Sequence, residues 1–149
     1  MTHNHDLYQQ LIIDHSKSPR NFGKLEGFTH QAEGFNPLCG DHIWVYLKVG
    51  PDGVVQGLSF EGSGCAISKA SASLMTLELK GKSIEEVSNI FQQFHGLLLG
   101  QGGVHTSELP PKLTIFSNIW QYPSRVKCAA LSWHTMNGAL NRSEKVSTE

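Results

Sequence analysis

Apolar and polar residues alternate along two neighbouring stretches of the chain, 43–49 and 54–60. The first stretch carries apolar residues at every second position, namely Ile43, Val45, Leu47 and Val49. Two such stretches separated by the turn sequence at 50–53 predict a β-hairpin with one buried face. A weaker pattern at 28–33 predicts a third strand, because an isolated hairpin is rarely stable in water.

A helical period of apolar residues marks two segments in the first half of the chain. One begins near Asp6, which we expect to cap it, and ends before the turn sequence at 18–21. The second covers 66–80, ends at Gly81 and carries Cys65 at its start. A thiol in that position is favoured as a thiolate by the helix dipole.

Two further helices are predicted in the second half. The sequence Ser83-Ile84-Glu85-Glu86 is a capping box that opens an amphipathic helix, and another helix should begin after Pro123-Ser124. Between them, 96–122 is a long connection that contains exposed-looking apolar residues. It is interpreted either as a partner surface or as a loop folded over the core.

Composition indicates an ordinary globular protein. The chain has 149 residues, with 39% hydrophobic and 17% charged residues and a net charge of -1. We therefore expect a single domain over 1–149, with 1–5 and 141–149 frayed. The charge balance argues against a nucleic-acid partner, and no stretch reaches membrane-spanning length, so the cytoplasm is the expected location.

The three cysteines carry the most chemical information. Cys39 and Cys65 lie beside glycines and Cys128 follows two cationic residues, settings that favour thiolates. An odd number of cysteines without a secretion signal argues against a disulfide framework and for metal or thiol chemistry.

The predicted hairpin brings two of the cysteines together. If its turn centres between Pro51 and Asp52, antiparallel pairing places Asp41 opposite Gly62. The segments around Cys39 and Cys65 should then meet at the open end of the hairpin. Since Cys39 and Asp41 are two residues apart, their side chains can share one ion, whereas His42 faces away from them.

A four-ligand metal site follows from adding Cys128, which is expected near a helix start. Three sulfurs and one carboxylate oxygen, from Cys39, Asp41, Cys65 and Cys128, form a tetrahedral set that suits zinc. Two alternatives stay open at this point. The cysteines can be small apolar core residues, and Asp41 can cap a turn.

At these residues the chain resembles the IscU/NifU-like iron-sulfur cluster assembly family, and within it the SufU branch. The resemblance rests on motifs that follow one another along nearly the whole chain, at 14–15, 19–23, 36–41, 62–68 and 125–129. IscU-type members carry a histidine immediately before the third cysteine, whereas Lys127 stands here. The connection before that cysteine is also longer, as in SufU-type members.

The resemblance implies an α+β fold with a small three-stranded antiparallel sheet packed against several helices and the metal site exposed at one end. It implies zinc held by Cys39, Asp41, Cys65 and Cys128. It further implies a sulfurtransferase-like relay in which Cys39 accepts persulfide sulfur from a cysteine desulfurase of the SufS type. We expect Arg125 to pair with the released Asp41, a hypothesis motivated by the absence of the histidine ligand and by the nearness of the cation and the carboxylate. Sulfur passes on to a downstream iron-sulfur scaffold or to apo-proteins.

Three other functions remain open from the sequence. The same ligands suit iron or an iron-sulfur cluster, which would make the protein a scaffold on which a cluster is built and transferred. A zinc-stabilised binding module without thiol turnover is a second possibility, in which removal of the metal unfolds the domain. A free-standing thiol enzyme is a third, and it requires a base beside one cysteine.

Overall fold

The computed structural model describes residues 2–101, 109–143 and 145–147. In chain order its longer elements are α1 (Thr2–Lys17), β1 (His30–Asn36), β2 (Asp41–Val49), β3 (Val55–Ser63), α2 (Ala66–Leu79), α3 (Ile84–Leu98), α4 (Pro123–Leu140) and β4 (Lys145–Ser147). Two short 3-10 helices, Pro111–Phe116 and Ile119–Gln121, precede α4.

The four strands form one sheet in the order β3-β2-β1-β4. The expected α+β class is confirmed, but the prediction of three antiparallel strands is wrong in detail, since β4 is a fourth strand that runs parallel to β1. A Cβ built on Gly138 would lie 2.5 Å from Val146 Cγ2, so this glycine makes room for the strand. The strand was not foreseen because it lies in the polar tail at 141–149, which carries no alternating pattern and was expected to fray.

The β2–β3 hairpin forms where the pattern predicts it, but its register differs. Ser63 is the partner of His42, so Asp41 does not lie opposite Gly62. The shift arises from a bulge between Lys48 and Val49 together with the five-residue turn that follows. The segments around Cys39 and Cys65 nevertheless meet at the open end of the hairpin, as predicted, because the Cys65 amide donates a hydrogen bond to Asp41.

Helix starts agree well with the capping signals in the second and third helices. Cys65 is the N-cap of α2, and Ser83 with Glu86 forms the reciprocal capping box of α3. Helix α1 already begins at Thr2, so Asp6 lies inside it and the prediction that Asp6 caps this helix is wrong.

The hydrophobic core lies between the sheet and the helices α2 and α4, with α1 packed on α2 and α3 on α4. Its largest side chain, Trp133, stacks at a tilt on Phe94 with ring centroids 4.4 Å apart, and Phe94 makes an edge contact with Phe116. Among the described residues no helix combines the length and the apolar character needed to cross a membrane.

The connection at 96–122 is described except for 102–108. Three of the apolar residues that look exposed in the sequence, Ile115, Phe116 and Ile119, are buried in the core. Trp120 and Tyr122, in contrast, are about half exposed (51% and 50%). The buried residues of this connection fold over the core, as the second of its two interpretations predicted, and the other two leave part of it at the surface.

Candidate metal centre

The candidate site lies at one end of the sheet, where a tight turn joins β1 to β2. Asn36 ends β1, Asp41 begins β2, and Cys39 lies between them with its amide bonded to the Asn36 carbonyl oxygen at 3.3 Å. Gly40 has a φ of +73°, a backbone conformation that glycine adopts without strain. The turn leaves Cys39 exposed and Asp41 almost fully buried.

The Asp41 carboxylate is held by two donors from different parts of the chain. Its Oδ1 accepts a hydrogen bond from the Cys65 backbone N–H at 2.9 Å, and its Oδ2 accepts one from Asn36 Nδ2 at 3.1 Å. Gly64 packs directly against it, since an added Cβ there would lie 2.9 Å from Asp41 Oδ1. These contacts join the start of β2 to the start of α2, as the hairpin argument anticipated.

Cys65 serves as the N-cap of α2. Its Sγ accepts a hydrogen bond from the Ser68 backbone N–H at 3.4 Å, which satisfies one of the free amides of the first helical turn. The capping contact holds the thiol at the positive end of the helix dipole.

Cys128 lies in the second turn of α4 and is buried. Its Sγ is 3.2 Å from Cys39 Sγ and 3.5 Å from Asn36 Nδ2. One possible ligand atom each from Cys39, Asp41 and Cys128 lies within 4.8 Å of the other two. Among the residues that the structure describes, these three side chains form the group of possible metal ligands that lie close enough to share one ion. Cys65 is a neighbour of Cys128 but does not share the cluster.

The electrostatics of the cluster differ from the sequence-based expectation for Cys128. Burial raises the pKa of the Cys128 thiol well above its ordinary value, and the thiols of Cys39 and Cys65 and the Asp41 carboxylate add to the increase. Burial thus acts against the thiolate that was predicted from the cationic residues at 125 and 127. A cation bound among these groups would favour the thiolate instead.

The geometry of the cluster fits a small tetrahedral cation. Zinc–sulfur bonds of about 2.3 Å and zinc–oxygen bonds of about 2.0–2.2 Å place tetrahedral ligands roughly 3.5–3.8 Å apart. The Cys39 and Cys128 sulfurs, 3.2 Å apart, are slightly closer than this, and no pair of candidate ligand atoms in the group of Cys39, Asp41 and Cys128 is farther apart than 4.8 Å. Small side-chain movements are enough to close the site on such an ion.

Two other residues discussed in the sequence analysis lie outside the cluster. The Arg125 guanidinium is 4.7 Å from the centroid of the Tyr122 ring, over which it stacks. His42 stacks on Phe35 and is paired with Glu33, as expected if it faces away from the cysteines. Arg125 as a partner of a released Asp41 stays a prediction.

Asn36 is the residue of this site that the sequence analysis missed as a participant. Its side-chain amide contacts both Asp41 and Cys128. A signal was present, because asparagine is the side chain of this turn that can donate two hydrogen bonds. Without the fold, however, nothing indicated that α4 would pass within reach of it.

Comparisons with known proteins place this chain in a family. Residues 7–129 match the model described as NifU-like N terminal domain. The iron-sulfur cluster assembly scaffold protein IscU of Thermotoga maritima is 40% identical over 136 residues, covering 91% of this chain and 94% of the relative. The zinc-dependent sulfurtransferase SufU of Bacillus subtilis is 37% identical over 138 residues, covering 93% and 92%.

The fold agrees with the sequence comparison. A crystal structure titled as a putative iron-sulfur cluster assembly scaffold protein for the SUF system, from Fervidobacterium islandicum, superimposes with a TM-score of 0.82 at 33% identity, covering 91% of this chain and 98% of that chain. The chain therefore belongs to the IscU/NifU-like family of iron-sulfur cluster assembly proteins, through a NifU-like N-terminal domain.

Proposed function

We propose that the protein binds one zinc ion through Cys39, Asp41, Cys65 and Cys128 and that Cys39 accepts persulfide sulfur from a cysteine desulfurase. The observation that carries the proposal is the convergence of Cys39, Asp41 and Cys128, with one thiol exposed and another buried beside it. The exposed thiol can meet a partner, while the buried groups anchor the ion.

The donor set supports zinc as the resident ion. Three cysteine sulfurs with one carboxylate oxygen suit zinc in tetrahedral geometry, and the relative from Bacillus subtilis is named zinc-dependent. Cys65 accepts a single amide hydrogen bond, which leaves lone pairs on its sulfur for the ion. Bound zinc would supply the positive charge that keeps these thiols deprotonated, which burial alone opposes at Cys128.

The sulfur transfer can be written with this chain's own thiol. The Cys39 thiolate attacks the terminal sulfur of the partner's cysteine persulfide, a new S–S bond forms, and the old S–S bond breaks as the partner cysteine leaves as a thiolate. The terminal sulfur keeps its oxidation state, so no external oxidant or reductant is required. The exposure of Cys39 provides the access that this attack needs.

Arg125 is proposed to act when the partner docks. Its guanidinium is exposed and stacked on Tyr122 near the start of α4, three residues before Cys128. If docking frees Cys39 by a change of ligands, Arg125 pairs with the released Asp41 carboxylate. The desulfurase is expected to be of the SufS type, and sulfur then passes to a downstream iron-sulfur scaffold or to apo-proteins.

The alternative is a scaffold on which an iron-sulfur cluster is built and then transferred. The relative from Thermotoga maritima, which is named a scaffold, favours it, and the same ligands suit iron. Lys127 argues against it, because IscU-type members carry a histidine at that position. Anaerobic reconstitution separates the two functions: a stable cluster that transfers to an apo-protein supports the scaffold, and tight zinc with desulfurase activation supports the relay.

A desulfurase assay tests the sulfur-acceptor function. Wild-type protein is expected to stimulate alanine production by a SufS-type desulfurase, and Cys39→Ala and Asp41→Ala are expected to abolish the stimulation. Asp52→Ala is the control, because Asp52 lies in the β2–β3 turn, where its carboxylate bonds only the local amide of Val54. Normal stimulation by both site variants would defeat the proposal.

A further inference from the structure

We propose that Asn36 is a positioning residue for the metal, a role that rests on the proposed zinc-binding function. Its side-chain amide holds a ligand from the sheet and a ligand from a helix in one arrangement. The consequence is a higher affinity for the ion than the four ligands alone would give.

The amide of Asn36 bridges two ligands that are distant in sequence. Nδ2 lies 3.1 Å from Asp41 Oδ2 and 3.5 Å from Cys128 Sγ, so each of its two protons has an acceptor. Asp41 begins β2 and Cys128 lies on α4, and Asn36 itself ends β1 as the backbone partner of Asp41. One side chain thus ties the sheet to the helix at the site.

Burial explains why this amide is fixed. Asn36 has no exposed surface, and its Oδ1 has no hydrogen-bond partner among the described residues. Flipping the amide would direct that oxygen toward a carboxylate and a sulfur, which are acceptors once Asp41 and Cys128 are ionised. The nitrogen therefore faces the ligands, and hydrogen bonds to ionised acceptors are stronger than those to neutral ones.

The bridge leaves the ligand atoms free to bind. Asp41 Oδ2 accepts a hydrogen bond from Asn36 and Oδ1 accepts one from the Cys65 amide, and the Cys128 thiol also donates to this carboxylate. A bound cation would displace the Cys128 proton, which makes the lone pair that this thiol occupies available to the cation. Outer contacts of this kind orient metal ligands, and their loss typically costs about 10–100-fold in affinity.

Two substitutions remove the hydrogen bonds of Asn36 in different ways. Asn36→Asp keeps the size of the side chain but replaces the donor with an oxygen that repels the Asp41 carboxylate. Asn36→Ala removes both hydrogen bonds and adds no charge. We expect zinc affinity to fall by roughly 10–100-fold in each variant. Asn21→Asp is the matched control, because the Asn21 amide donates to Thr76 away from the site.

The measurement is competition for zinc between each purified protein and a chelator of known affinity. Circular dichroism of the metal-free proteins is recorded in parallel to show that the variants fold. Cobalt(II) substitution supplies a spectroscopic readout, since displacement of Cys128 lowers the sulfur-to-metal charge-transfer intensity. We expect this intensity to fall in Asn36→Ala and to stay unchanged in Asn21→Asp.

A double-mutant cycle separates positioning from a general structural role. If Asn36 acts partly through Asp41, then Asn36→Ala costs less zinc affinity in an Asp41→Ala background than in the wild type. Equal losses in the two backgrounds would overturn the inference. So would wild-type affinity in folded Asn36→Asp, and in both cases the zinc site itself would stand. Failure of the wild-type protein to bind zinc would overturn both proposals.

Discussion

At the scale of single residues, Asp41 connects three parts of the chain: the end of β1, the start of β2 and the start of α2. It begins β2, and its two carboxylate oxygens accept hydrogen bonds from Asn36 and from the Cys65 amide. Because the carboxylate is buried and held on both oxygens, displacing it, as in the proposed release to Arg125, must break its hydrogen bonds to Asn36 and to the start of α2. Its position is therefore set before any ion binds.

Gly64 offers a direct test of that position. In Gly64→Ala the new methyl group would lie 2.9 Å from Asp41 Oδ1, which is closer than a methyl carbon and an oxygen can approach. The carboxylate must therefore shift from its buried position. We expect zinc affinity, measured by chelator competition, to fall by about tenfold or more. Gly57→Ala is the control, since its methyl group would meet the side chains of Leu25, at 3.3 Å, and Lys48, at 3.8 Å, and none of the candidate ligands. Equal affinity in the two variants would contradict this account of Asp41.

At the scale of elements, the site is built from ends: the turn after β1, the first residue of β2, the N-cap of α2 and the second turn of α4. The start of a helix was predictable where local residues mark it, as at Cys65 and in the Ser83 capping box. The bounds of an element were not predictable where contacts with distant parts of the chain determine them. Strand β4 pairs with β1 through backbone bonds and a space at Gly138, and neither leaves a pattern in the sequence.

The contact between α1 and α2 predicts a pH dependence of stability. His15 is buried with its Nδ1 2.6 Å from Ser73 Oγ. Burial lowers the pKa of His15, and the positive charges of Arg20 and Lys112 lower it further, against a smaller opposing effect of Asp14. The unfolded state therefore binds a proton more readily than the folded state, so this stability is present above about pH 6.5 and is lost as the pH falls below it.

The measurement is thermal unfolding of metal-free protein between pH 7.5 and 5.5. The melting temperature should fall with pH in the wild type and fall less steeply in His15→Gln, which keeps a hydrogen-bonding group near Ser73 but cannot titrate. An unchanged pH slope in His15→Gln would show that this histidine does not carry the effect.

At the scale of the whole molecule, the core and the site are largely separate. The core lies between the sheet, α2 and α4, and its largest side chains, among them Trp133 and Phe94, belong to the hydrophobic cluster and not to the group of Cys39, Asp41 and Cys128. A core of this size is expected to hold the fold without a metal, in contrast to a small zinc-dependent domain.

Removal of the metal tests this separation. After chelation we expect the far-ultraviolet circular dichroism to be retained and unfolding to stay cooperative. The melting temperature should be lower, because an ion that binds only the folded state stabilises it. Loss of the helical signal on chelation would contradict the account and favour a zinc-stabilised binding module.

The convergence of Cys39, Asp41 and Cys128 could be predicted from the sequence, whereas their supporting contacts could not. Cys39 and Asp41 follow from residue type and two-residue spacing, and Cys128 from its place beside cations at a helix start. Asn36 was missed because its second acceptor comes from α4, which is 92 positions away in the chain. The raised pKa of Cys128 was missed for a similar reason, since burial is a property of the folded molecule.

X-ray absorption at the zinc edge, on protein loaded with one equivalent of zinc, tests the central claim most directly because it counts the ligand atoms. The account predicts three sulfurs at about 2.3 Å and one oxygen at about 2.0–2.2 Å. Cys65→Ser should reduce the sulfur count from three to two. A wild-type spectrum with two or fewer sulfurs, or with the multiple scattering of a histidine ring, would contradict a site made of Cys39, Asp41, Cys65 and Cys128.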